Sequence, residues 1–185
     1  MKKTIKILVA AVLAVCFGSL ANAQSASISA NATVISELTV TNQANLNFGT
    51  VVVGQTKSLD GYGNVAVSSG PKLGNARQGH FKVTAQRGSN LQLTFNLPTN
   101  LIAPGGAELP ISFSYEDEQV AVVSDPLMGD FINFYPTTLL QINNFLTGSE
   151  DFATYVDVFI GGQVNATGVT AGAYTGTITL SATYN

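Results

Sequence analysis

Few residues in this chain are equipped for chemistry, and their spacing does not bring them together. His80 is the one histidine and Cys16 the one cysteine among 185 residues. Histidine-assisted hydrolysis would need a serine on a sharp turn, and no Gly-x-Ser-x-Gly run occurs. His80 instead sits in the alternating run Gly79-His80-Phe81-Lys82-Val83-Thr84, so a structural or surface role is expected. Glu116-Asp117-Glu118 and Glu150-Asp151 offer the carboxylates that calcium favours, but not the alternating spacing of a calcium loop. Adjacent carboxylates on extended chain point apart, which predicts a solvated loop surface. Gly61-Tyr62-Gly63-Asn64-Val65-Ala66 fits a dinucleotide fingerprint ending in alanine. No strand–helix alternation follows it, so it reads as a turn entering a strand. The expectation is a non-enzymatic chain with no catalytic residue, no cofactor and no metal site; an exported hydrolase would lack a recognisable site.

The N-terminus carries export information. Lys2, Lys3 and Lys6 form a positive stretch, Ile7 to Phe17 is apolar, and Ala21-Asn22-Ala23 fits a small-x-small cleavage site. Residues 1–23 therefore read as a secretory signal peptide, removed to leave a chain starting at Gln24. The apolar run is short for a membrane span, so no stable membrane insertion is expected. Leu13-Ala14-Val15-Cys16 approximates a lipoprotein box, but Val15 stands where such boxes hold a small residue.

Removing 23 of 185 residues leaves 162, a length suited to one domain with its own core, here residues 24–185. The only cysteine leaves with the leader, so the exported chain has no disulfide. Five basic residues (Lys57, Lys72, Lys82, Arg77, Arg87) remain against eleven acidic ones. That sparse, acidic balance argues against nucleic acid and against an electrostatic hold on anionic lipid.

The elements that must position these side chains are short and strand-like. Ser25 to Val34 alternates strictly, with Ala26, Ile28, Ala30, Ala32 and Val34 on one face. Leu38 to Thr41 continues it beyond a bend near Ile35. Further strands are expected at Leu46 to Gly54, Gly61 to Ser69, Gly79 to Gln86, Leu91 to Leu97, Ile111 to Tyr115 and Tyr155 to Val164. Tyr174 to Tyr184 closes the chain, with Ile178, Leu180, Ala182 and Tyr184 on one face and Thr177, Thr179, Ser181 and Thr183 on the other. Gly70-Pro71, Arg87 to Asn90, Pro98 to Pro110 and Thr167 to Gly172 read as turns and loops. Asp125 to Phe152 is irregular, with a helical turn or an edge strand at Leu139 to Phe145. Many short strands with such breaks predict an all-β antiparallel sandwich.

Leu46-Asn47-Phe48-Gly49-Thr50, the pair Gly79 to Thr84 and Leu91 to Phe95, and Gly161-Gly162 leading to Ala171-Gly172-Ala173-Tyr174-Thr175-Gly176 resemble an uncharacterised bacterial family of exported domains. That family is similar to chaperone-usher pilins and the spore coat protein U domain. The resemblance implies an immunoglobulin-like sandwich that lacks one strand. A periplasmic chaperone, and later the N-terminal extension of the next subunit, would supply it. It also implies a C-terminal strand with a glycine fourteenth from the end and a penultimate tyrosine; Gly172 and Tyr184 hold those places. The donor segment would be Gln24 to Val34, which lacks the glycine that pilin donor segments usually carry, and the disulfide of many pilins is missing here. Asn31-Ala32-Thr33 and Asn165-Ala166-Thr167 match glycosylation acceptors, expected to stay unmodified in a bacterial chain.

Two readings stay open. In one, the chain is a pilin-like subunit of a fimbrium or related surface polymer, assembling with identical or related subunits, by way of a periplasmic chaperone and an outer-membrane usher, with a role in cell adhesion. In the other, the sandwich is complete in itself, since first and last strands of a closed sandwich alternate in the same way. Its loops between Asp125 and Asp151 would then bind a glycan or protein through Phe131, Phe134, Tyr135 and Phe145. Those aromatics read equally well as core.

Overall fold

The computed structural model describes residues 27–114, 120–124, 131–143, 145 and 155–185. The leader, Cys16, Ala26 and both acidic clusters lie outside the described residues. The chain divides at Val34 and Ile35. Of the first unit, residues 27–34 form no strand and are exposed, Ile28 at 96% and Val34 at 93%.

The second unit is an all-β antiparallel sandwich, with no helix among the described residues. Its first sheet comprises β1 (Thr39–Ala44), β4 (Gly79–Thr84), β11 (Tyr155–Ile160), β8 (Ala121–Ser124) and β9 (Phe131–Phe134), in the order β1-β4-β11-β8-β9. A second sheet places β5 (Leu91–Asn96) between β10 (Leu140–Ile142) and β13 (Thr179–Tyr184). The third runs β3-β2-β12-β7-β6, from β3 (Val65–Val67), β2 (Thr56–Leu59), β12 (Gly162–Asn165), β7 (Glu108–Ser112) and β6 (Asn100–Ile102).

Period-two alternation builds the core. Val156, Val158 and Ile160 of β11 point inward while Tyr155, Asp157 and Phe159 stay half-exposed. Two apolar clusters result, one around Phe48, Leu59, Ile111, Ile160 and Val164, the other around Val83, Leu91, Leu93, Phe145 and Val158. Phe81, Phe95 and Phe134 pack against both and join them. Phe95 meets Phe81 edge-on at 6.0 Å and stacks on Phe134 at 6.1 Å.

The expected strand from Tyr155 to Val164 is split at Gly161, where the chain passes from the first sheet to the third. A Cβ there would lie 1.7 Å from the carbonyl oxygen of Leu59, so only glycine fits the crossing. The strand expected at Leu46 to Gly54 is not one: the segment keeps a single bridge, Asn47 to Arg77, because glycines at positive φ (Gly49 at 64°, Gly54 at 82°) turn the chain out of line. Likewise, the segment from Tyr174 is strand only from Thr179, with one earlier bridge between Thr175 and Ile102. Gly61 to Ser69 shortens to β3 behind a turn at Gly61 and Tyr62. Within the segment expected at Leu139 to Phe145, Leu140–Ile142 is the edge strand β10, and the loop expected from Pro98 to Pro110 contains β6 and the start of β7.

Candidate functional site

Two edge strands bound the same side of the sandwich. β1 pairs only with β4 and β13 only with β5, so each presents an unpaired backbone edge among the described residues. At one end they are tied. The Tyr184 hydroxyl donates to the Ser36 carbonyl at 2.9 Å and accepts from the Gln86 N–H at 2.9 Å. Ser36 adds bonds from its N–H and hydroxyl to the Gln86 side-chain oxygen, 3.1 and 2.7 Å. From that tie β1 runs onward and β13 runs backward in sequence, so the two edges are antiparallel to one another.

Beyond the tie they part around an open groove of about 900 Å³. One wall is Asn42, residues 44–51 and Val53; the other is residues 169–178. Between them the floor is apolar core: Phe81, Leu109, Ile111, Ile160, Val164 and Ala166. Neither wall is a continuous strand. A register shift between Asn42 and Ala44 bends the first away from β4. On the second, the Thr175–Ile102 bridge has bonds of 2.7 and 3.0 Å, and Tyr174 donates to the Thr170 carbonyl at 2.6 Å. Gly176 permits this approach, since a Cβ there would be 2.6 Å from Leu101 Cδ2. A concave apolar floor between two segments that continue from the far ends of the edge strands β1 and β13 has the chemistry to accept an extended chain with alternating apolar side chains.

The expected residues distribute as follows. Gly172 and Ile178 line the groove. Leu180 is buried in the second cluster, and Ala182 and Tyr184 pack against it. Ile28, Ala30, Ala32 and Val34 are exposed and unpaired in the first unit. Among the loop aromatics, Phe145 is fully buried and Phe134 half-buried in the core, whereas Phe131 and Tyr135 are 52% and 50% exposed. Tyr62 joins the exposed pair, its ring edge-on to Phe131 at 5.5 Å and its hydroxyl 2.7 Å from the Asn133 side-chain oxygen.

His80 lies on the face of β4 opposite Phe81. Its Nε2 is 2.7 Å from an Asp157 carboxylate oxygen, and its ring stacks on Phe159 at 4.5 Å. On the same face Lys82 Nζ sits 3.6 Å above the Tyr155 ring. No group of three His, Cys, Asp or Glu suited to a metal occurs among the described residues, and no helix of theirs is long and apolar enough to cross a membrane.

Sequence reasoning passed over Lys57. It is 1% exposed, and its Nζ donates to the carbonyls of Thr50 (3.0 Å) and Leu73 (2.7 Å). Burial pushes its ammonium below the usual lysine range. The signal was available: in Thr56-Lys57-Ser58-Leu59 the lysine is in phase with the core-facing leucine. No protein-family model matches this chain, and no curated protein matches it either.

Proposed function

We infer that this protein is a structural, non-enzymatic subunit that assembles by strand donation: the groove of one copy takes up the N-terminal segment of another. The observation that carries this reading is the groove, an apolar floor open between residues 44–53 and 169–178, the segments that continue from the edge strands β1 and β13. The exposed segment at 27–34 supports it, because Ile28, Ala30, Ala32 and Val34 alternate with polar residues in sequence and are exposed.

Filling the groove removes both liabilities at once. At about 25 cal/mol per Å² of apolar surface, an extra ~300 Å² of burial is worth roughly 7 kcal/mol before ordering costs. That is comparable to the whole stability of an ordinary domain. An unfilled subunit would therefore be the less stable of the two, and a filled one would be persistent.

In this reading residues 1–23 are an export signal. The chain crosses the periplasm with a chaperone holding its groove, passes an outer-membrane usher and ends at the cell surface in a pilin-like polymer that serves adhesion. Producing the chain in a periplasm, with and without residues 24–34, tests this: polymers in the first case and none in the second are expected.

A second reading has one observation in its favour, the exposed trio Tyr62, Phe131 and Tyr135. There the sandwich acts as a monomer and binds a neutral glycan through those rings. Glycan binding by a monomer, lost on replacing Phe131 and Tyr135 by alanine, would favour it.

A further inference from the structure

The groove has one wall that no sheet holds. Residues 48–53 make no ladder with any strand, yet they follow a fixed course, and a second irregular segment, residues 70–76, runs behind them. The two approach at backbone distance. A Cβ on Gly74, whose φ is +69°, would lie 2.7 Å from the Thr50 nitrogen; one on Gly49 would lie 3.2 Å from the Asn75 backbone. At one end the pair is fastened by the Asn47–Arg77 bridge, with bonds of 2.8 and 2.7 Å. In the middle the Lys57 ammonium reaches out of the core and bonds one carbonyl from each segment, Thr50 and Leu73.

A buried lysine is a costly way to fill a core position. Lys57 stands opposite Val164 of β12 and in phase with Leu59, where an apolar side chain would be cheaper. It forms no ion pair among the described residues. The buried carboxylate on the same hairpin, Asp60, is occupied by the N–H groups of Tyr62 and Asn64 and by the Asn64 side-chain amide. Two carbonyl dipoles are thus what Lys57 has for its charge, and holding those two carbonyls is what an apolar residue there could not do.

The wall needs holding. Val52 and Val53 are 41% and 57% exposed, and Val51 and Val53 border an open apolar floor. Hydrophobic attraction draws such a segment inward, over the floor, in the absence of an occupant. We propose that Lys57 is the positioning residue of the groove: by fastening Thr50 to Leu73 it holds the wall at 48–53 outward and keeps the groove open for an incoming strand. This inference rests on the reading of the groove as a strand acceptor.

The test uses the full chain with its own extension disabled by Ile28→Asp and Val34→Asp, so that it cannot polymerise. A labelled peptide with the sequence of residues 24–34 is titrated into it and followed by fluorescence anisotropy. The parent should bind the peptide. Adding Lys57→Met should weaken binding at least tenfold while leaving the cooperative thermal transition at or above the parent's midpoint. That split between affinity and stability is one a merely structural lysine would not produce. A parent that fails to bind overturns the acceptor reading and this inference with it. A parent that binds, beside a Lys57→Met variant that binds equally well, overturns the role of Lys57 alone. If Lys57→Met does not fold, or loses its cooperative transition, Gly74→Ala decides. It sits on an exposed turn, displaces the wall at Thr50 and leaves the cation in place. Weakened binding with a retained transition supports the proposal, and unchanged binding overturns it.

Discussion

The hydroxyl of Tyr184 donates to the carbonyl of Ser36 across 2.9 Å, joining the end of β13 to the residues that lead into β1. The same oxygen accepts from the Gln86 N–H, so a single phenol gathers β13, the approach to β1 and the turn after β4. The edge strand β13 and the approach to the edge strand β1 are tied at this point by the two hydrogen bonds of the phenol.

Replacing Tyr184 with Phe keeps the ring and removes both bonds. A loss of about 2 kcal/mol is expected, since each such bond contributes about 1 kcal/mol. Urea unfolding of the complemented protein would measure it as a lower midpoint with unchanged slope. An unchanged midpoint would mean that the tie is not maintained in solution.

The loop aromatics should separate by burial. Phe145→Ala should cost about 3–5 kcal/mol, because its side chain is fully buried in the second cluster. Tyr135→Ala, half-exposed, should stay within about 0.5 kcal/mol. Equal costs in thermal unfolding would contradict this division between core and surface.

Gly161→Ala should prevent folding or leave a protein with no cooperative transition. Its Cβ would meet the Leu59 carbonyl oxygen at 1.7 Å, and the atoms around it are backbone and cannot swing aside. Gly105→Ala is the control, with open space around it and no positive φ, and should be silent by circular dichroism and thermal melting.

Lys57 gives a pH signature with a definite sign. Burial lowers its pKa in the folded protein, so between that lowered value and about 10.4 the unfolded chain binds more protons. The cost of burying the charge is full below the lowered pKa and is relieved as pH rises through it. Stability relative to Lys57→Met should therefore increase with pH over that window. A difference that is flat or falls with pH would place the ammonium in contact with water.

Alternation made much of the fold legible: β4, β5 and the inward face of β13 follow from residue order, because a half-buried strand must repeat every second position. Strands such as β2 and β6 were hidden for physical reasons. Thr56-Lys57-Ser58-Leu59 has one apolar residue, and its lysine is core-facing only because distant carbonyls receive it. Asn100 to Ile102 is too short to set a period and pairs beside a proline, Pro110, which reads as a breaker. Of the site, Ile178 was visible in the C-terminal alternation, and Gly172 only through the resemblance to pilins. The opposite wall was not, since Leu46 to Gly54 reads as a strand until tertiary packing turns it at Gly49 and Gly54.

The most direct measurement is size-exclusion chromatography of the exported chain beside a version carrying Ile28→Asp and Val34→Asp. Strand donation predicts heat-resistant polymers for the first and none for the second, with assembly of the second restored on adding a peptide of residues 24–34 only as far as capped single subunits. A soluble monomer in both cases, each with the same cooperative thermal transition, would contradict it and leave the sandwich complete without a partner.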